Sequence, residues 1–382
     1  MGPLQGTRII EIAGIGPGPF AGVMLADMGA EVLRVERPGG GPFSQAGQEP
    51  SFDLLNRGKR CICVDLKREK GTETVLRLVE RADALFEGFR PGVIEKLGLG
   101  PEVCLERNPR LVFGRMTGWG QDGPLARAAG HDINYISLSG ALHAVGRRGE
   151  KPTIPLNLVG DFGGGGLMLA YGIVCALLEA RISGRGQMVD TSMVEGAAAL
   201  MMSIYGAQQY GFWSEERGNN LLDSGAPFYE VYETADNRYI SLGALEPQFY
   251  EELVRHLDLA GEDLPPQFDS GGWEALRERF TALFKTRTRD EWCALLEGSD
   301  ACFAPVLAMS EVHEHPHNVA RGSFIECAGV RQPRPVPRFS RTDPARVQRP
   351  PARAGEHTDE ALRDWGFAPP ELAELREQDV IA

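Results

Sequence analysis

An α/β fold, built as an open parallel-sheet large domain plus a smaller α+β domain, follows from three features of the 382-residue chain. First, short apolar stretches of strand character at residues 8–13, 31–35, 61–66, 84–87 and 111–116 alternate with helical stretches at 19–28 and 71–81. Strands separated by helices imply βαβ units and hence a parallel sheet. Second, the length exceeds what a single hydrophobic core normally organises. Third, the pattern changes near Phe228, where two strands flank the turn Ala235-Asp236-Asn237. Amphipathic helices follow at 248–257, 273–285 and 289–298. Between the lobes, residues 163–208 read as apolar helices interrupted by a polar turn and a short strand at 188–190. Residues 328–354, rich in proline and arginine, read as an extended, irregular crossing back to the first lobe.

Composition narrows the function. A chain with 42% hydrophobic and 24% charged residues is ordinary for a globular protein. A net charge of −13 argues against general affinity for nucleic acid, whose phosphates demand a basic footprint. Local clusters of cations can still hold an anionic ligand. Seven scattered cysteines, odd in number and without a CxxC pair, fit reduced thiols in a cytoplasm. The N-terminus shows no secretory pattern, and the C-terminal QDVIA is not a peroxisomal address. Residues 162–178 carry no charge, but they begin among glycines and fall short of the roughly 20 apolar residues of a span. They are expected to form a buried helix, not a membrane anchor.

Several stretches can carry chemistry. Gly14-Ile-Gly-Pro-Gly-Pro19 misses the dinucleotide fingerprint, and its prolines remove amides that a pyrophosphate would use. A tight strand-to-helix turn is expected there, without a nicotinamide cofactor. Single cations such as those of the basic stretch Arg57-Gly-Lys-Arg60 read as solvated surface. Arg37, Lys67 and Arg90, each at or after the end of a predicted strand, are candidates for phosphate binding, because parallel strands collect such ends at one edge. His131 follows a glycine and precedes Asp132, a poor context for core packing, and imidazole serves both as base and as acid near neutrality. Asp161 precedes Phe162 and four consecutive glycines. Four glycines weaken a helix by roughly 1 kcal/mol each, so a function such as close approach of a ligand to the backbone is expected. The run His313-Glu-His315-Pro-His317 is broken by Pro316 and lacks a recognised ligand spacing, so no metal is expected.

Taken in order, a series of motifs resembles the α-methylacyl-CoA racemases, a branch of the class III CoA-transferase family, over nearly the whole chain. They include Gly16-Pro-Gly-Pro-Phe20, Val35-Glu-Arg-Pro38, Asn56-Arg-Gly-Lys-Arg60, Val64-Asp-Leu-Lys67 and Phe89-Arg-Pro-Gly-Val93. Gly130-His-Asp-Ile-Asn-Tyr135, Gly160-Asp-Phe-Gly-Gly-Gly165, Gly243-Ala-Leu-Glu-Pro-Gln-Phe-Tyr250 and Gly355-Glu-His-Thr358 continue the series. The resemblance implies an interlocked homodimer that racemises 2-methylacyl-CoA, with His131 and Asp161 as the acid/base pair and Glu246 supporting the histidine. Contacts to CoA map to Arg37, to Val64, Asp65, Leu66 and Lys67, and to Gly130, Asp132, Ile133, Asn134 and Tyr135, with Arg90 added from its strand-end position. Coenzyme A enters as part of the substrate, and no separate cofactor is implied. The alternative within the family is a CoA-transferase in which Asp161 is a nucleophile forming acyl-enzyme anhydrides. The presence of both His131 and Glu246 favours the racemase. The implied layout is a large domain of residues 1–191 completed by 345–382, linker helices 192–226, a small domain 227–327 and a return linker 328–344.

Overall fold

The computed structural model describes residues 2–40, 50–343, 347 and 349–382; the expected boundary at 344/345 lies outside them. The chain divides into two compact units. One comprises Met1–Ser139, Leu156–Met201 and Gly322–Ala382; the other comprises Gly140–Pro155 and Met202–Arg321.

The first unit is built on β1 (Arg8–Ile12), β2 (Glu31–Glu36), β3 (Arg60–Cys63), β4 (Ala84–Glu87), β5 (Val112–Thr117) and β6 (Met188–Ser192). These form one sheet in the order β3-β2-β1-β4-β5-β6, parallel throughout. Both faces are covered, as an all-parallel sheet requires. Ile10, Leu33, Ile62, Leu85 and Phe113 face a core shared with Val75, Leu78 and Leu362. Ile9, Val32, Ala84, Phe86 and Val112 face the opposite core with Ala21, Leu169 and Ile173. The C-terminal residues complete the first core through Trp365, Phe367 and Ile381. They also close the sheet edge: Val64 bridges Ile381, and the Asp65 N–H donates to the Val380 carbonyl. The crossing expected to be irregular instead begins with a hairpin, β10 (Phe324–Cys327) against β11 (Val330–Pro333). Pro333 is tolerated there because it closes an edge strand, where no ladder donor is needed.

The Gly-rich segment also differs from expectation. Leu158–Leu167 is a π-helix, with the Phe162 N–H reaching back to the Asn157 carbonyl, and it runs into the α-helix Met168–Ser183. A Cβ on Gly164 would lie 2.5 Å from the Ala197 nitrogen, and one on Gly166 would lie 2.5 Å from the Pro17 carbonyl oxygen. The glycines therefore let two helices, Met193–Leu200 and Pro17–Asp27, press against the widened turns; the expected approach of a ligand to this backbone is replaced by protein. The span Leu158–Ser183 is long and apolar enough to cross a membrane by length and composition alone. Leu169, Ala170, Ile173, Ala176, Leu177 and Ala180 are buried, so one face packs on the sheet. The opposite face, with Leu167, Tyr171, Val174, Leu178 and Ile182, is exposed.

The second unit holds the antiparallel sheet β7 (Val231–Glu233), β8 (Tyr239–Leu242) and β9 (Phe303–Val306). Helices Pro247–His256, Trp273–Phe284 and Arg289–Leu296 pack on it around Tyr232, Phe280, Phe284 and Trp292.

Candidate active site

A doubly wound sheet offers its ligand crevice beyond the carboxyl ends of the strands where strand order reverses. Here that point lies between β1 and β4. Three loops meet the requirement: residues 13–16 after β1, 88–92 after β4, and the longer passage after β5 that ends at His131.

The β1 loop turns into the helix Pro17–Asp27 at Gly16, whose φ of 65° belongs to the left-handed region. Any side chain there would also collide with Asp161, since a Cβ would lie 2.8 Å from Asp161 Oδ2. The Asp161 carboxylate thus rests against bare backbone. It lies inside the π-helix, as its fourth residue. One turn earlier, Asn157 Nδ2 donates to Asp161 Oδ2 at 3.1 Å. Asn157 was missed in the sequence, although an amide four residues before the candidate carboxylate on one helix is a usable signal.

His131 is exposed at the N-cap of the helix Asp132–Leu138, its N–H donating to Asn134 Oδ1 at 3.0 Å. Its neighbour Asp132 is buried, and Asp132 Oδ2 accepts the Asp161 N–H at 2.7 Å. Asp132, assigned to CoA contact by the resemblance, therefore ties the histidine segment to the Asp161 segment. Tyr135 is buried too; its hydroxyl donates to the Gly130 carbonyl and its ring meets Trp119 edge-on at 4.7 Å. Ile133 is exposed beside them.

The electrostatics agree with this proximity. Burial holds the Asp161 carboxyl above the ordinary carboxylate range; the Asn157 amide opposes this, the Asp132 charge adds to it and His131 opposes it. The Tyr135 phenol is likewise raised, by burial first and then by Asp161, with Arg90 acting against both. Arg90, Tyr135, Asp161 and His131 therefore share one field. A carboxyl that stays protonated more readily than free aspartate can donate as well as accept a proton.

The cations separate into two kinds. Arg37 after β2, Lys67 after β3 and Arg90 after β4 are exposed at the carboxyl edge, and Arg37 Nε donates to the Gly40 carbonyl at 2.7 Å. Asp65 and Leu66 are half-buried and Val64 is fully buried, its N–H taken by the Glu36 carbonyl. The run Arg57-Gly-Lys-Arg60, expected at a solvated surface, is instead spent inside the protein. Arg57 pairs with Asp27 at 2.5 Å, Lys59 with Glu11 at 2.6 Å, and Arg60 with Glu31 and Asp364. Burial of all three side chains leaves none of them for a ligand.

Of the other expectations, Glu246 lies in the second unit, exposed as the N-cap of Pro247–His256 and making no capping bond. His315 sits 2.8 Å from Glu297, and Pro316 opens a helix.

The chain is similar to known proteins over nearly its whole length. The chain is 47% identical over 379 residues to α-methylacyl-CoA racemase of Mus musculus and 45% identical over 380 residues to that of Homo sapiens, in each case covering 99% of this chain and 97% of the relative. Among solved structures, a CAIB/BAIF family protein from Brucella suis matches with a TM-score of 0.80 at 28% identity, over 95% of this chain and 99% of the other. The family model for CoA-transferase family III matches residues 4–358, and the chain belongs to that family.

Proposed function

We propose that this protein interconverts the (2R) and (2S) forms of 2-methylacyl-CoA thioesters, with His131 and Asp161 acting on opposite faces of the α-carbon. One residue removes the α-proton as the thioester carbonyl becomes an enolate, and the other, already protonated, returns a proton to the far face. One proton leaves and one arrives, so no electron is exchanged and the balance calls for no redox partner. The observation that carries the reading is the pairing of an exposed imidazole with a half-buried carboxyl of raised proton affinity, joined through Asp132. The names of the relatives at 47% and 45% identity support it. Arg90, with Arg37 and Lys67, would take the phosphates of CoA, and Glu246 keeps the role of supporting the imidazole that the family pattern gives it.

The test is proton NMR of one pure epimer in deuterated water with the dialysed protein and a chelator. Loss of the α-proton signal and drift to a mixture near one-to-one is expected. Turnover only after addition of a second carboxylic acid would overturn the proposal in favour of CoA transfer.

We further propose that the working form is a homodimer. The stripe Leu167, Tyr171, Val174, Leu178 and Ile182 follows helical spacing and lies open to water, Ile182 at 82% exposure. Contiguous apolar surface of this kind is normally covered by a partner. Light scattering is expected to give twice the chain mass, and Leu178→Asp to shift it toward the monomer. An active wild-type monomer would sink the proposal.

A further inference from the structure

The loop after β4 is fastened at both ends by one side chain. Arg115, on β5 and 6% exposed, donates through Nε to Glu87 Oε1 at 3.1 Å, and its Nη1 lies 2.8 Å from Glu95 Oε1. Glu87 is the last residue of β4 and wholly buried; its other oxygen, Oε2, accepts the Phe89 N–H at 2.7 Å. Glu95 lies in the short helix Val93–Lys96 on the far side of the loop. Between these anchors stand Gly88, Phe89, Arg90, Pro91 and Gly92, with Gly92 at a φ of 85° and the Val93 N–H closing a turn on the Arg90 carbonyl. Nothing in the acid/base reaction requires Glu87, Arg115 or Glu95. Two carboxylates beside a site for an anionic ligand are also a liability, which Arg115 offsets by pairing with both.

We propose that Arg115, bound to Glu87 and Glu95, is a positioning set that presets the Arg90 loop for the phosphate-bearing part of the substrate. This rests on the reading that Arg90 takes a CoA phosphate. A long side chain on a glycine-containing loop must otherwise be ordered at the moment of binding, and prior ordering removes that cost from every binding event. The set acts through Arg90, so its effect belongs to the nucleotide end of the substrate and not to proton transfer at the acyl end.

The experiment compares 2-methyldecanoyl-CoA with the 2-methyldecanoyl thioester of pantetheine, which lacks the nucleotide and its phosphates. Glu95→Ala is the informative variant, since Arg115→Ala leaves Glu87 buried without its partner and risks misfolding. Glu95→Ala is expected to raise KM for the CoA ester about three- to tenfold with kcat retained, and to leave both constants for the pantetheine ester unchanged. Glu95→Gln, which keeps an acceptor for Arg115, should recover part of the loss. Arg90→Ala serves as the reference. If Arg90→Ala raises KM selectively for the CoA ester but Glu95→Ala does not, the positioning set is refuted while the phosphate reading stands. If Arg90→Ala affects the two esters equally, the phosphate reading itself fails. Equal losses on both esters in Glu95→Ala would assign Glu95 a general structural role and overturn the proposal.

Discussion

His131→Ala and Asp161→Ala are each expected to lower racemisation by about 10²–10⁴-fold, the usual contribution of a positioned acid or base. The two variants should then part company in hydrogen exchange. With Asp161 removed, His131 still faces one epimer and can wash its α-proton into solvent without inverting it; with His131 removed, Asp161 does the same for the other. The Asp161 substitution should leave the fold nearly intact, because its link to Asp132 runs through the backbone N–H, which any residue supplies. Only the Asn157 side-chain amide loses its acceptor. Burial already raises the proton affinity of Asp161, so Asp161→Asn, which holds shape but cannot exchange a proton, should be as inactive as the alanine variant. The assay follows optical rotation or chiral separation alongside deuterium uptake, epimer by epimer. Racemisation near the wild-type rate in either alanine variant would remove that residue from the chemistry.

Strands β1 to β5 of the large sheet were legible because each carries a buried apolar stretch, as a strand covered on both faces does. The site was legible where chemistry is local: His131 beside a glycine, Asp161 before a glycine run, and cations at strand ends. What failed was everything that depends on a distant partner. Arg57, Lys59 and Arg60 read as solvated surface cations, yet they are buried against Asp27, Glu11, Glu31 and Asp364, and no local pattern announces those partners. Gly164 and Gly166 read as a landing place for a ligand, but what lands there is the backbone of two other helices. β9 was missed because Pro305 sits within it, and that proline is tolerated only because β9 lies at the edge of its small sheet.

The buried pair Lys59–Glu11 should give the largest loss of stability. Lys59 Nζ lies 2.6 Å from Glu11 Oε2, with side-chain exposures of 1% and 0%, and it also donates to the Pro19 carbonyl at 3.0 Å and to Asn56 Oδ1 at 3.2 Å. Gly22 makes room for the pair, since a Cβ there would lie 2.1 Å from Glu11 Oε2. Burial pulls the lysine's proton affinity down and Glu11 pulls it back up, so the charged state depends on its partner. Lys59→Met leaves Glu11 buried without that partner, a change that costs about 3–5 kcal/mol. Arg34, whose charge also reaches Glu11, places the expected value at the lower end. The double variant Lys59→Met with Glu11→Leu removes both charges and should recover most of the stability, because an apolar pair avoids the desolvation that the ions suffer. It should not recover full activity. The lost bond to Pro19 belongs to the first turn of the helix that opens at Gly16, against which Asp161 rests. Denaturant unfolding of the two variants, read beside kcat, separates these effects. A single variant within about 1 kcal/mol of wild type, or a double variant as unstable as the single, would show that the pair does not govern this part of the fold.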